Sequence, residues 1–317
     1  MLEQQLVNAL SLGCVYALFA LGFTLVFGVL GVINLSHGAI FMIGAYAALE
    51  VVTRLAFPLW AALLAAFVVS GVVGLLIDML VLRPLRRRNA PHLIPMIATI
   101  GIAIFFNSAS QGVFGAENLR FPSELLPDEQ LRFASVQISE LELAIVVLSF
   151  ALMAGLLVVM RRTQLGRALR AIAESPKAAA LLGINVEGLF YLTSFTAAAL
   201  MGIDVAAYKR LAFVLGAMLA GLAGGLNAHL TFFIGPNEYG FDRGVEILTM
   251  TILGGIDGLG GPLSGAVILT LLPELLRGLK DYRMVVNGLI LVAIVLFLPK
   301  GLWDPARFRR CFGRAAR

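Results

Sequence analysis

Residues 6–30 read LVNALSLGCVYALFALGFTLVFGVL, a stretch without a single charged side chain. A helix rising 1.5 Å per residue needs about 20 mostly apolar residues to cross roughly 30 Å of hydrocarbon, because lipid tolerates only a backbone whose polar groups bond one another. The stretch is therefore read as a membrane-spanning helix. A cleaved signal peptide would open on basic residues, whereas this chain opens Met1-Leu2-Glu3-Gln4-Gln5, so the first span is expected to stay in the mature protein.

Working outward, similar apolar runs recur at 37–53, 59–82, 93–114, 141–160, 211–233, 245–256, 263–279 and 285–298. They predict an all-α, polytopic integral membrane bundle of about eight or nine transmembrane helices. The seventh run is short. Of the 317 residues 60% are apolar and 14% charged, against roughly 45–50% and 25% in a soluble domain, which argues against a soluble enzyme. Continuous runs in place of strict alternation exclude an outer-membrane barrel. Histidines 37, 92 and 229 do not cluster at metal-ligand spacing, and Cys14 and Cys311 belong to a span and to the basic tail, so no metal, cofactor or disulfide is expected.

Lys and Arg stay on the cytoplasmic side in short loops, and they mark three segments here. These are Arg83, Arg86, Arg87 and Arg88; then Arg161, Arg162, Arg167, Arg170 and Lys177; and the tail with Arg307, Arg309, Arg310, Arg314 and Arg317. Residues 115–140 carry Glu117, Glu124, Asp128, Glu129 and Glu140 against Arg120 and Arg132, which reads as an outside loop. The net charge of +5 is then a topology signal, and nucleic acid is not an expected partner.

The most informative connection is RRTQLGRALRAIAESPKAAALLGINV, residues 161–186. Ser175 suits an N-cap, Pro176 the first helical turn, residues 177–182 are mostly good helix formers, and Gly183 fits the left-handed position that ends a helix. Seven residues make a rod of only about 10 Å, marginal in water unless something holds it. These residues alone leave a solvated loop and a docked helix both open. The chain lacks GxxxxGK[ST], so any nucleoside triphosphate must be hydrolysed by a partner, and the Gly-rich stretch 254–262 reads as a turn between spans.

Three further elements carry a resemblance. NALSLGCVYALFALGFTLVFGVLGVINLSHGAIFMIGAYAA (8–48), RPLRRR with PMIATIGIAIFFN (83–88 and 95–107) and ESPKAAALLGIN (174–185) together resemble the inner-membrane permeases of bacterial branched-chain amino acid ABC importers, the LivH type, over about residues 6–200. From Met201 onward, MGIDVAAYKRLAFVLGAMLAGLAGGLNAH, EILTMTILGGIDGLGGPLSGA and LLPELLRGLKDYRMVVNGLILVAIVLFLPKGL look more like the related LivM type. The resemblance implies a LivH-like region 1–200 joined to a LivM-like region 201–317 in one continuous membrane domain. It also implies two ABC ATPase subunits, a second permease subunit and a periplasmic solute-binding protein as partners, in a bacterial inner membrane. Glu174, Ser175, Pro176, Lys177, Ala178, Ala179, Leu182 and Gly183 would then form the coupling helix seated on an ATPase.

The seam is visible without the family. AALLGINV at 179–186 returns as AALMGIDV at 198–205, nineteen positions later. The run between the copies, 188–203, is short for a span, and a crossing there would carry the Arg-rich tail outside unless the short run 245–256 were re-entrant; it is expected along the cytoplasmic interface or beneath the bundle.

Polar groups in hydrocarbon must be paired or face water, so each is a candidate. Asn34, Ser36 and His37 interrupt the apolar run between the first two spans, and Asn107, Ser108, Ser110 and Gln111 sit near the outer end of the fourth; Asn34, Ser36, His37, Asn107 and Gln111 are candidate pathway residues. Asp78 reads as a carboxylate paired with Arg83 or a neighbour. Glu246 and Glu274 are ambiguous. Gly216, Ala220 and Gly224 space small residues for close helix packing. An ion-coupled secondary carrier is the alternative function, resting on Asp78 and Glu246.

Overall fold

The computed structural model describes residues 2–55, 57–88, 90–91, 93–121, 130–133, 136–174, 205–236, 239, 241–255 and 260–275, with isolated positions 285, 289, 292 and 296. Helix α1 (Leu2–Leu30) is followed by α2 (His37–Leu55) and α3 (Leu59–Ile77), which runs through one π turn (Asp78–Leu82) into α4 (Arg83–Arg87). Then come α5 (Leu93–Phe114), α6 (Glu140–Arg162), α7 (Gln164–Glu174), α8 (Val205–Thr231), α9 (Phe241–Gly254) and α10 (Gly260–Leu275). Six helical stretches are long and apolar enough to span: Gln4–Leu30, His37–Leu55, Leu59–Arg87, Leu93–Phe114, Glu140–Arg162 and Ala206–Thr231. The seventh and eighth expected runs are the shorter α9 and α10. Of the ninth, Val285, Leu289, Val292 and Leu296 are described; they are helical, exposed and spaced for one helix face.

The boundaries follow local chemistry. Gly31, at φ +68°, ends α1 in the left-handed conformation and donates its N–H to the Phe27 carbonyl at 2.8 Å. Ser139 caps α6 by accepting from the Leu141 N–H at 3.3 Å, with Glu140 and Glu142 in the first turn and Arg161 and Arg162 in the last, as the helix dipole favours.

Helix α8 is the packing centre, and glycine makes it so. A Cβ on Gly44 of α2 would overlap the backbone of Gly221, one on Gly224 the backbone at Phe41, and one on Gly22 of α1 would lie 2.9 Å from the Gly216 carbonyl oxygen. On α3, Gly71 and Gly74 leave room for the side chains of Met218 and Ala217. Within lipid, association rests on such backbone approach because no water is expelled between helices. The small-residue spacing of Gly216, Ala220 and Gly224 is therefore the seam along which α1, at Gly216, and α2, at Gly224, close on α8, while α3 meets Ala217, Met218 and Gly221 beside it. Helices α5 and α6 are peripheral and expose Leu93, Ile97, Phe105, Val147 and Val158, the apolar exterior suited to hydrocarbon.

One end of the bundle carries two antiparallel ribbons. Strand β1 (Leu119–Arg120) pairs with β4 (Phe233–Ile234), and β2 (Gln130–Phe133) with β3 (Val136–Ser139). Gln4 of α1 exchanges two hydrogen bonds of 2.8 Å with the Gln137 backbone, so the N-terminal turn lies at this end. The opposite end gathers Arg86, the last turn of α6, α7 and the first turns of α8. Among the described residues, the basic segments at 83–88 and 161–170 thus lie at the end opposite Glu117 and Glu140.

Candidate functional site

At the basic end, the sequence read 161–174 as connection, yet residues 164–174 form α7. Thr163 caps it, its Oγ1 accepting from the Gly166 N–H at 3.2 Å. Ala168, Leu169 and Ile172 form a buried face against Leu25 and Val29 of α1, Met160 of α6, and Tyr208 and Ala212 of α8. Burial of Leu169 and Ile172 contributes about 1.5–3 kcal/mol each. Glu174 is the last residue of α7 and is exposed. Ser175, Pro176, Lys177, Ala178, Ala179, Leu182 and Gly183 lie outside the described residues, as does the run 188–203. Because α7 packs on the first turns of α8, residues 174 and 205 flank that segment at the same end of the bundle.

Beside α7 lies an ion layer. Asp78 has a fully buried side chain; its Oδ1 accepts from Arg86 Nη2 at 2.5 Å, and its Oδ2 faces Arg210 Nε at 3.5 Å. Of the expected partners, Arg83 or a neighbour, it is the neighbour Arg86 that pairs, joined by Arg210 from across the bundle. The π turn Asp78–Leu82 has a local cause in Pro84, which offers no N–H to the carbonyl four residues earlier; the wider turn absorbs that defect.

Deeper in the bundle, residues 31–36 run without helix up to the start of α2. Asn34 Oδ1 accepts from the Ser36 N–H at 3.1 Å and from Ser36 Oγ at 2.6 Å, and the Leu35 N–H donates to Thr99 Oγ1 at 3.1 Å. His37 stacks on Phe19 at 4.8 Å and meets the edge of Phe23 at 5.6 Å. Phe23 stands seven residues before the end of α1, so α2 begins roughly 10 Å inside that end. Non-helical backbone at such depth requires protein around it or a polar cavity. Asn34, Ser36 and His37 are all buried, and Asn34 Nδ2 and both His37 ring nitrogens have no hydrogen-bond partner among the described residues. Asn107 accepts from Gln111 Nε2 at 3.1 Å, farther along α5 on an exposed stretch. The five pathway candidates thus form two groups, not one.

Some polar residues that sequence reasoning passed over complete the interior. The first turn of α9 meets the start of α2: a Cβ on Gly244 would lie 3.5 Å from the Leu35 carbonyl oxygen. Tyr239 stacks on Phe41 at 5.1 Å and Phe41 on Phe19 at 4.5 Å, which continues the aromatic column from His37 toward the ribbon end. The Tyr239 hydroxyl accepts from Asn227 Nδ2 at 2.6 Å and donates to the Phe233 carbonyl at 3.3 Å. Burial pushes its pKa up, so it remains a neutral donor. Asn227 and His229 were legible as polar interruptions of the run 211–233.

Long apolar helices around a glycine-lined centre, a buried polar junction and a basic platform beneath define a multi-pass membrane transport subunit. The family profile described as "Branched-chain amino acid transport system / permease component" matches residues 5–196 and again 192–295. The chain belongs to this family: it is a permease subunit of an ATP-binding-cassette importer, a class that works with ATPase and other permease subunits. It is similar to the high-affinity branched-chain amino acid transport system permease protein BraD of Pseudomonas aeruginosa, 35% identical over 313 residues and 94% of each chain. It is also similar to LivH of Escherichia coli K12, 31% identical over 314 residues and 94% of each chain. LivM of Salmonella typhimurium is 26% identical over 330 residues, 97% of this chain and 72% of the relative. No solved structure matches the chain.

Proposed function

We propose that this chain is one of two permease subunits of a bacterial inner-membrane importer of branched-chain amino acids, driven by two separate ATPases and supplied by a periplasmic solute-binding protein. It performs no chemistry of its own and alternates between outward-facing and inward-facing states. The observation that carries this reading is α7, clamped to α1, α6 and α8 at the basic end and leading directly into the ESPKAAALLGIN motif. An ATPase engaging 174–183 would act on a helix already packed against the spans. Solute would pass the group Asn34, Ser36 and His37, with Asn107 and Gln111 nearer the ribbon end. The ion-coupled carrier has less support, since Asp78 and Glu246 are each matched by arginine, Glu246 by Arg243 at 2.6 Å.

The same reading joins a LivH-like part, 1–200, to a LivM-like part, 201–317. Two features support the join itself: the repeated motif, and a single family profile matched twice with the overlap, residues 192–196, lying between the copies. Alignments to relatives of both types run across the join.

Glu174→Lys tests the docking role. Co-purification with the ATPases is expected to drop about tenfold, a change of 1.4 kcal/mol, while the amount of permease in the membrane holds. Quantitative pull-down from solubilised membranes reads both; loss of insertion with association intact would place Glu174 in folding instead.

A further inference from the structure

We infer that Asp78 is a positioning residue of the transport cycle, the switchable tie between α8 and the inner end of α3; this rests on the importer reading above. Its two partners are unequal. Arg86 is eight residues away on the same continuous helix, and its 2.5 Å contact is tight. Arg210 comes from α8, and its 3.5 Å contact is loose. A buried carboxylate stripped of every partner is costly, so an element that must make and break one ion pair needs a second that never leaves. Arg86 fills that permanent role. Arg210 is then free to part from Asp78 without exposing an uncompensated charge.

The position of Arg210 supplies the drive. Tyr208 and Ala212, on either side of it, are the α8 residues packed on Leu169 and Ile172 of α7. A push on the segment that follows Glu174 moves α7, α7 moves the first turns of α8, and Arg210 travels with them. On the receiving side, Asp78 opens the π turn, a wide turn held by Pro84 and able to give up or regain one helical register. Lys209 also lies in the field of Arg86, so an excess of positive charge at this end favours separation once the Asp78–Arg210 contact lengthens. The tie therefore holds the inner end of α3, beyond its Gly74–Ala217 contact, to the first turns of α8 in the arrangement seen here and releases when α7 is displaced.

The test compares variants of the full chain, assembled with its ATPases, second permease and solute receptor in proteoliposomes, by counting solute imported per ATP hydrolysed. Arg210→Gln keeps the Asp78–Arg86 pair and cuts the α8 link alone; it is expected to hydrolyse ATP near the wild-type rate and to import at least about tenfold less solute per ATP. Arg210→Lys, which retains the charge, should recover most of the coupling. A merely structural role would lower hydrolysis and import together, in step with the amount of assembled complex. If Arg210→Gln does not assemble, Asp78→Glu decides, since it keeps both charges but shifts the carboxylate by one methylene, and an unchanged solute-to-ATP ratio there overturns the tie. So does a wild-type ratio in Arg210→Gln. Wild-type import that ignores ATP would instead bring down the importer reading, and this inference with it.

Discussion

Gly44→Val is expected to remove most folded permease from the membrane, whereas Gly101→Ala is expected to leave it intact or slightly more stable. At Gly44 the atoms that a new Cβ meets are the carbonyl oxygen, Cα and carbonyl carbon of Gly221, all backbone, so no side-chain rotation relieves the clash. Overpacking costs about 1–3 kcal/mol where side chains can move, and more where whole helices must part. Here α2 would have to move off α8 and lose contacts around Phe41, Ala45 and Ala48, which belong to the principal core. Lipid offers no compensating hydrophobic drive, since separated helices simply meet acyl chains. Gly101 has nothing within 4 Å, and alanine there gains about 1 kcal/mol of helix propensity. Monodisperse yield and thermal midpoint in mild detergent separate the two. Equal midpoints would mean that α2 and α8 do not touch through these glycines in the membrane.

Spans of this kind are the most legible feature of a sequence, because hydrocarbon imposes length and composition on each helix independently of its neighbours. The run 93–114 coincides with α5, and 141–160 falls within α6. The start of α8 was harder: Lys209 and Arg210 ended the apolar run at 211, yet the helix extends to Val205 because Arg210 finds Asp78 and Tyr208 packs on α7. Helix α7 itself was missed, since arginines at 167 and 170 lower its hydropathy and its four-residue apolar repeat becomes meaningful only once α1 and α8 supply a surface. Asp78 was recognised as a paired carboxylate from its nearness to the basic loop, but Arg210, more than a hundred residues away, is a partner that tertiary packing alone brings in. The pathway candidates show the same limit. Asn34, Ser36 and His37 were conspicuous as polar interruptions, and the structure gathers them; Tyr239 and the start of α9, which complete the interior beside them, lie in a part of the chain where no local signal points inward.

Excising residues 179–197, one full length of the repeat offset, is expected to yield a permease that inserts with unchanged topology. The cut leaves Ala178 joined to Ala198, and the chain then reads ESPKAAALMGIDV, a single continuous copy of the motif. Residues 174 and 205 stand at the same end of the bundle, held there by α7 against Tyr208 and Ala212 and by Arg210 against Asp78, in keeping with the interfacial reading of 188–203, which puts no net crossing between them. Removing an even number of crossings, or none, leaves every later helix oriented as before. The basic tail supplies a built-in reporter: Cys311 is one of two cysteines, and the other, Cys14, is wholly buried in α1. In intact cells a membrane-impermeant maleimide should therefore fail to label both the full chain and the excised one, and should label both strongly once the membrane is opened. If 188–203 were an unpaired span, deletion would invert α8 and every later crossing: the tail with Arg307 through Arg317 would pass from outside to inside, or from inside to outside where the short run 245–256 is re-entrant. A change in Cys311 labelling of intact cells between the full and the excised chain, in either direction, would be the signature of that arrangement and would place a transmembrane crossing where the interfacial reading puts none.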